Sequence, residues 1–512
     1  MMRKTITRKT FLESFLYYIE CVGNKIPHPM MIFVFLSIAT IVLSGVLASI
    51  GFSDIHPVTG KTVLVNNLLT VKGLLRIITN VVKNFVTLPA VGMVLTCMLG
   101  VGVCDRSGLF AVSLKHVAER TKGSDIKIIA VFIFCCVMAD CTGGTGFVVM
   151  PPLGALIFQS LGRNPIAGML CAYGTTTGAF ASNLLVTSMD VINVSFTETA
   201  AKMVDPSIVL SPAINYYYSA VSTIILLIVS LYLTVKVVEP RLGKYTGEGI
   251  GRTIEEVTDN DRKALKYACV GAIVYLLAVG IGTVPFNGIL RDPITHSPLV
   301  GKAPLMQSLP LLISLLFFIP GCIFGIASNR FKGVKDVANA LGDSMADMGP
   351  YIALMFIAAQ FLNYFSWTNI GIILAIKGAH ILQASGLPIM VLMVLFITMS
   401  ATINLLIGSD STKWAILSPI FVPMFMFLGY HPALTQMAYR IGDAITNPLC
   451  PTFAYFAMLL ALVQKYDKKA GLGTLMANMF PFTLAFYIFM IVQLLVWVAF
   501  NWPLGPGGPI HM

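Results

Sequence analysis

The chain has 512 residues, of which 34 are Lys or Arg and 23 are Asp or Glu, giving a formal charge of +11 and a sequence pI near 9.1. Hydrophobic residues make up 56% and charged residues only 11%, with a mean hydropathy of +0.83, whereas a soluble domain is about one-quarter charged. Such a composition cannot be wrapped in a polar surface, which excludes a soluble enzyme and makes lipid the solvent for most of the chain.

The basic balance could indicate a nucleic-acid partner, so the placement of the cations decides its meaning. Twenty-three of the 34 fall in the segments 1–29, 105–127, 236–266, 329–336 and 464–470. Those segments are where loops on one side of a membrane are expected, so the charge reads as topology, with a cytoplasmic N-terminus and no nucleic acid. The ten cysteines include no CxxC pair, and those within apolar runs read as small buried hydrophobes.

Taken in chain order, residues 1–29 form a cytoplasmic N-terminal segment. Arg3, Lys4, Arg8 and Lys9 precede a stretch broken by Glu13 and Glu20, which does not resemble a cleaved signal. A first half, 30–237, follows. It has a span near 30–50, an external loop through Asn84, a second span to about Cys104 and a basic stretch, then an apolar but repeatedly interrupted region with a broken segment near 137–162. The charged loop 238–266 is cytoplasmic and divides the protein. The second half, 267–512, has a span near 267–283, an external loop rich in proline, a span returning to the basic loop Arg330–Lys335, and a broken segment near 400–429. The expected fold is an all-α polytopic membrane protein with about nine transmembrane helices plus two re-entrant helical hairpins at the broken segments.

The two broken segments resemble each other. At a constant offset Pro152, Phe158, Leu161, Gly162 and Pro165 align with Pro419, Phe425, Leu428, Gly429 and Pro432, and after a short gap Gly178 and Asn183 align with Gly442 and Asn447. Both copies start with a helix-breaking cluster, Thr142–Gly146 and Gly408–Thr412. Paired interruptions in two halves of a transporter point to its substrate site and to an inverted repeat.

Ionisable residues within apolar runs are functional candidates, because each costs several kcal/mol unless paired or hydrated. They are Asp140, Arg163, Asp190, Asp410, Lys413, Arg440 and Asp443. Arg440 and Asp443 lie three residues apart, on one helical face, and can form a structural pair. Alternatively Asp443 holds a cation or proton while Arg440 receives a substrate carboxylate. Asn183, Asn404 and Asn447, with Asp443, could form an oxygen cage suited to sodium; each asparagine could also be interhelical glue. Trp414 offers a flat face to an aromatic ligand or an anchor at the headgroups. Pro432 and Pro451 bracket the Arg440–Asp443 segment and would free carbonyls there. There is no P-loop, HExxH or GxSxG, so an ion or substrate gradient must drive transport.

The stretch Gly408–Phe425 on to Pro432, then Tyr439–Asp443 and Pro451, together with Met150–Phe158, Ala181–Leu185, Glu239–Gly243 and Asn287–Pro293, resembles the p-aminobenzoyl-glutamate transporter (AbgT) family. The resemblance implies a homodimer in the cell inner membrane that moves as an elevator. It implies functional roles for Asp190, Asn404, Ser411, Trp414, Pro432, Arg440, Asp443 and Pro451. The implied cargo is p-aminobenzoyl-glutamate or a similar aromatic dicarboxylate, with export of folate-pathway antimetabolites such as sulfonamides as the alternative. No cofactor is expected, and the candidate coupling ion is the sodium that the oxygen cage described above would suit. Where the family has a Ser-Asp pair at the first hairpin tip, this chain has Asp140-Cys-Thr-Gly-Gly-Thr.

Overall fold

The computed structural model describes residues 29–55, 60–120, 125–142, 145–245, 257–294, 296, 298, 303–405, 407–450, 453 and 455–512, and its regular structure is almost all helical. In lipid a backbone must satisfy its own polar groups, and a helix does so within one segment. The helices are α1 Pro29–Ser49, α2 Val71–Val86, α3 Pro89–Arg106, α4 Leu109–Arg120, α5 Asp125–Met138, α6 Thr145–Ser160, α7 Pro165–Gly178, α8 Ser188–Ala201 and α9 Tyr216–Leu233. They continue with α10 Asp259–Thr283, α11 Leu309–Ala327, α12 Val334–Asp347, α13 Gly349–Thr368, α14 Ile370–Ala384, α15 Ile389–Asn404, α16 Asp410–Phe427, α17 Pro432–Thr446, α18 Phe456–Gln464 and α19 Leu472–Ala499. A small antiparallel ribbon, Ser53–Ile55 with Thr62–Leu64, follows α1.

Among the described residues, five helices are long and apolar enough to cross a bilayer alone: Met30–Ser49, Tyr216–Leu242, Asp259–Thr283, Leu309–Ala327 and Leu472–Ala499. The pair α12 and α13, bent by 43°, makes a sixth if it is one span. Fewer helices pass than the nine expected, because the chain breaks many of its apolar stretches into shorter pieces. The region expected as an external loop through Asn84 holds α2. Thr70 caps it by accepting from Gly73 N at 3.1 Å. Val71, Leu74, Leu75, Ile78, Val82 and Val86 make one exposed stripe at helical spacing, the pattern of a helix lying on a membrane surface.

The same order of elements occurs twice. A helix–turn–helix pair whose arms pack mainly on other helices (α5–α6; α15–α16, the two hairpins) is followed by a buried helix (α7; α17), a break, a continuing helix (α8; α18) and a long helix (α9; α19). The entering arms, α5 from Asp125 and α15 from Ile389, begin earlier than the sequence breaks suggest, and α5 ends in a 3-10 turn, Ala139–Thr142. The repeat extends to single hydrogen bonds. Gly162 and Gly429 have φ of +68° and +87° and end α6 and α16. In each, the next residue's N–H reaches back to the aligned phenylalanine, Arg163 N to Phe158 O at 2.8 Å and Tyr430 N to Phe425 O at 3.0 Å. Pro165 and Pro432 then open α7 and α17, capped by the side chains of Asn164 and His431. Within the first copy Gly154 and Gly168 let α6 and α7 meet backbone to backbone, where a side chain would collide.

The basic segments touch one another. Arg330 pairs with Asp261 at 3.1 Å and reaches Ser107 O at 3.5 Å, and Tyr245 donates to Tyr466 O at 3.4 Å. Contacts of this kind bring sequence-distant loops to a common end of the molecule.

Candidate functional site

A cavity of about 390 Å³ lies where the interruptions of the two repeats meet. Asp140 from the first hairpin turn faces Ser409, Asp410 and Ser411 from the second. The break between α7 and α8 contributes Phe180 and Ser188, and the break after α17 contributes Phe453 and Tyr455. Unwinding at these breaks is what lets backbone and short polar side chains face an interior space.

Two buried ion pairs flank the cavity. Arg440, on α17, donates to Asp190 Oδ1 and to Phe180 O, the latter at 2.7 Å. Asp190 is the third residue of α8, and its other oxygen accepts from Thr187 N at 2.7 Å and Thr187 Oγ1 at 3.0 Å. Arg440 thereby ties α17 to the start of α8 and to the carbonyl freed by the break. Lys413, on α16, donates to Asp443 Oδ1 and Asn404 Oδ1. Asn404 Nδ2 lies 2.8 Å from Asp443 O, 2.9 Å from Thr446 Oγ1 and 2.7 Å from Asn447 Oδ1. Arg440 and Asp443 therefore do not pair with each other; each has a nearer partner of opposite charge from another helix.

The oxygen cluster expected around Asn404, Asp443 and Asn447 is assembled, and the cation within it is the Lys413 ammonium. One carboxylate and one ammonium already cancel. A sodium ion fits these residues only where Lys413 has withdrawn. Asn183 stands apart from this cluster. Its Oδ1 accepts from Leu185 N at 3.0 Å and its amide reaches Val137 O at 3.4 Å, closing the break after α7.

Trp414 is fully buried, stacked on Tyr439 with ring centroids 4.3 Å apart. Its Nε1 points at Thr197 Oγ1 at 2.9 Å and Asn193 O at 3.1 Å, and Thr197 donates to Gln436 Oε1 at 2.6 Å. One face is stacked, the indole donor is taken and the side chain is fully buried, so Trp414 locks α16 against α8 and α17.

Residues 14–512 match the AbgT putative transporter family. The chain belongs to this family. It is 35% identical over 490 residues to the p-aminobenzoyl-glutamate transport protein of Escherichia coli (strain K12), covering 96% of each chain. The crystal structure of the Alcanivorax borkumensis YdaH transporter, described as having an unusual topology, is 35% identical with a TM-score of 0.89, over 94% of this chain and 100% of that one. Neisseria gonorrhoeae MtrF, described as illuminating a class of antimetabolite efflux pumps, is 36% identical with a TM-score of 0.90, over 97% of this chain and 100% of that one. This AbgT-family protein is a transporter of small molecules, not an enzyme, and its several apolar helices make it a multi-pass membrane protein.

Of the candidate residues, Ser411 lines the cavity, while Asp190, Asn404, Trp414, Arg440, Asp443 and Asn447 form the buried networks beside it. Pro432 opens α17 about two turns before Arg440, away from the cavity, and Pro451 lies outside the described residues. Sequence reasoning missed the aromatic wall. Phe147 stacks on Tyr455 at 4.8 Å and meets Phe453 edge-on at 5.5 Å, and Phe453 meets Phe180 at 5.9 Å. The available signal was position: each of these rings sits within a few residues of a helix break.

Proposed function

We infer that this transporter carries p-aminobenzoyl-glutamate or a similar aromatic dicarboxylate, driven by an ion gradient. The observation that carries this reading is the cavity between the hairpin turns, with an aromatic wall on one side and polar groups on the other. An aminobenzoyl ring stacks on Phe147 and Tyr455, the role first expected of Trp414. Arg440 is the carboxylate receptor in reserve. Asp190 occupies it now, and a substrate carboxylate would compete with Asp190 for the same planar fork. Sodium would enter the Asn404–Asp443–Asn447 cluster only in a conformation that frees it of Lys413. The clustered basic segments support an inner-membrane setting with a cytoplasmic N-terminus, and the repeated elements support an elevator movement; a homodimer is what the family resemblance implies.

A second reading, export of aromatic antimetabolites such as sulfonamides, is favoured by the likeness to MtrF. The aromatic wall suits either cargo. Uptake of labelled p-aminobenzoyl-glutamate into proteoliposomes, with sodium and proton gradients imposed separately, tests the first reading. Accumulation under one gradient supports it. No accumulation under either, together with gradient-driven movement of a labelled sulfonamide, replaces it with the second.

A further inference from the structure

Six buried ionisable side chains surround the meeting point of the hairpins: Asp140, Asp190, Asp410, Lys413, Arg440 and Asp443. Arg440 is spent on Asp190 and Lys413 on Asp443. Among the described residues, Asp140 and Asp410 have no ion-pair partner. They are 5% and 6% exposed, and both line the cavity, one from each hairpin. Asp140 Oδ2 and Asp410 Oδ1 have no hydrogen-bond donor. The other Asp410 oxygen accepts from the Asn193 amide at 3.0 Å, and Asn193 Oδ1 is itself left unpartnered.

Two ionised carboxylates without counter-charges cannot persist on the wall of one buried cavity, since each pays the cost of leaving water unpaired. The charged groups that face them, Arg440, Asp190, Lys413 and Asp443, are already paired off. Among nearby phenols, Tyr439 gives its hydroxyl to the Asp410 backbone carbonyl at 2.7 Å, and Tyr351 and Tyr455 sit on the cavity wall. The missing positive charge has to come from outside the chain. The smallest carrier, and the one by which a buried carboxyl ordinarily neutralises itself, is a proton.

We propose that Asp140 and Asp410 form the proton-coupling site of this transporter, loading at least one proton between the two hairpin turns at the edge of the substrate cavity. The proposal rests on the transporter reading but not on the identity of the cargo. Unprotonated, the two carboxylates repel an anionic substrate; protonated, they present hydroxyl donors to it. Proton and anion therefore bind with positive coupling, and each raises the affinity of the other by the same factor.

The test uses the full chain in lipid nanodiscs and proteoliposomes. Without organic substrate, the thermal midpoint of the wild type is measured between about pH 5 and pH 9 at fixed sodium, and against choline at fixed pH. Because the folded state favours the protonated carboxyls, stability should fall as pH rises, with no response to exchanging sodium for choline. Asp140→Asn combined with Asp410→Asn should flatten that slope and match the low-pH wild type at high pH. It should also lose at least tenfold in pH-gradient-driven uptake. Each single variant should remove part of the slope, which keeps the test usable if the double variant does not fold. A slope retained in the asparagine variants, or a midpoint that follows sodium and not pH, overturns the proposal. A wild type that shows the slope yet does not move p-aminobenzoyl-glutamate supports the proton site and dismisses only the cargo.

Discussion

Removing one member of a buried ion pair strands the other, and that cost exceeds whatever the pair contributed when intact. Asp443→Asn leaves the Lys413 ammonium among neutral amides and should destabilise by about 3–5 kcal/mol. Adding Lys413→Met should recover most of the loss, read as heat or denaturant midpoints in micelles. Arg440→Lys keeps the charge but cannot reach both Asp190 and Phe180 O, and should cost about 1.5–3 kcal/mol. A double-mutant cycle should show coupling between Arg440 and Asp190 and nearly none between Arg440 and Asp443. Coupling of the reverse order would contradict the pairing described here. The sequence made Arg440, Asp190 and Asp443 visible because ionisable residues are conspicuous in an apolar run. It did not reveal the pairing, since Asp190 lies 250 residues from Arg440. Spacing along one helix tells which side chains share a face, not what a distant break brings up against it.

Breaks are written in glycine, proline and short polar residues, and this is why the repeated order of elements leaves a trace in the sequence. Gly162 and Gly429 are the plainest case. Nothing lies within 4 Å of a Cβ added at either, so the cost of alanine there comes from positive φ alone and should be about 1–2 kcal/mol at each. Gly442 is different. Its added Cβ would meet Ser400 Cβ at 2.6 Å and Ile397 O at 2.7 Å, so Gly442→Ala should cost about 1–3 kcal/mol by pushing α17 off α15. The thermal midpoints of the three variants in micelles check both the size and the order. Other features were not legible for stated physical reasons. The surface helix α2 carries Lys72, Arg76 and Lys83 beside its apolar stripe, and a linear hydropathy count averages the two, so it does not stand out. The aromatic wall was hidden because phenylalanine is unremarkable in a lipid-facing sequence, and only the folded breaks show which rings turn inward.

At the scale of the whole molecule, the contacts among basic segments predict accessibility. Single cysteines placed at 258–262 and at 329–332 should label from the cytoplasmic side, and cysteines at 286–291 from the opposite side. Labelling from the same side at all three would discard the topology. The walls of the cavity have separate owners. Val94, Met98, Met348 and Tyr351 come from α3 and the bent α12–α13 pair, while the carboxylates, serines and aromatic wall come from the hairpins and broken helices. In the elevator movement proposed above, such a space would be the joint between two bodies, and its volume would be set by their registry. A molecule held only by the hairpin side would then travel with it, whereas one that wedges against Met348 and Tyr351 as well would act as a brake. On that reading cargo and inhibitor would differ less in chemistry than in which side of the joint they grip.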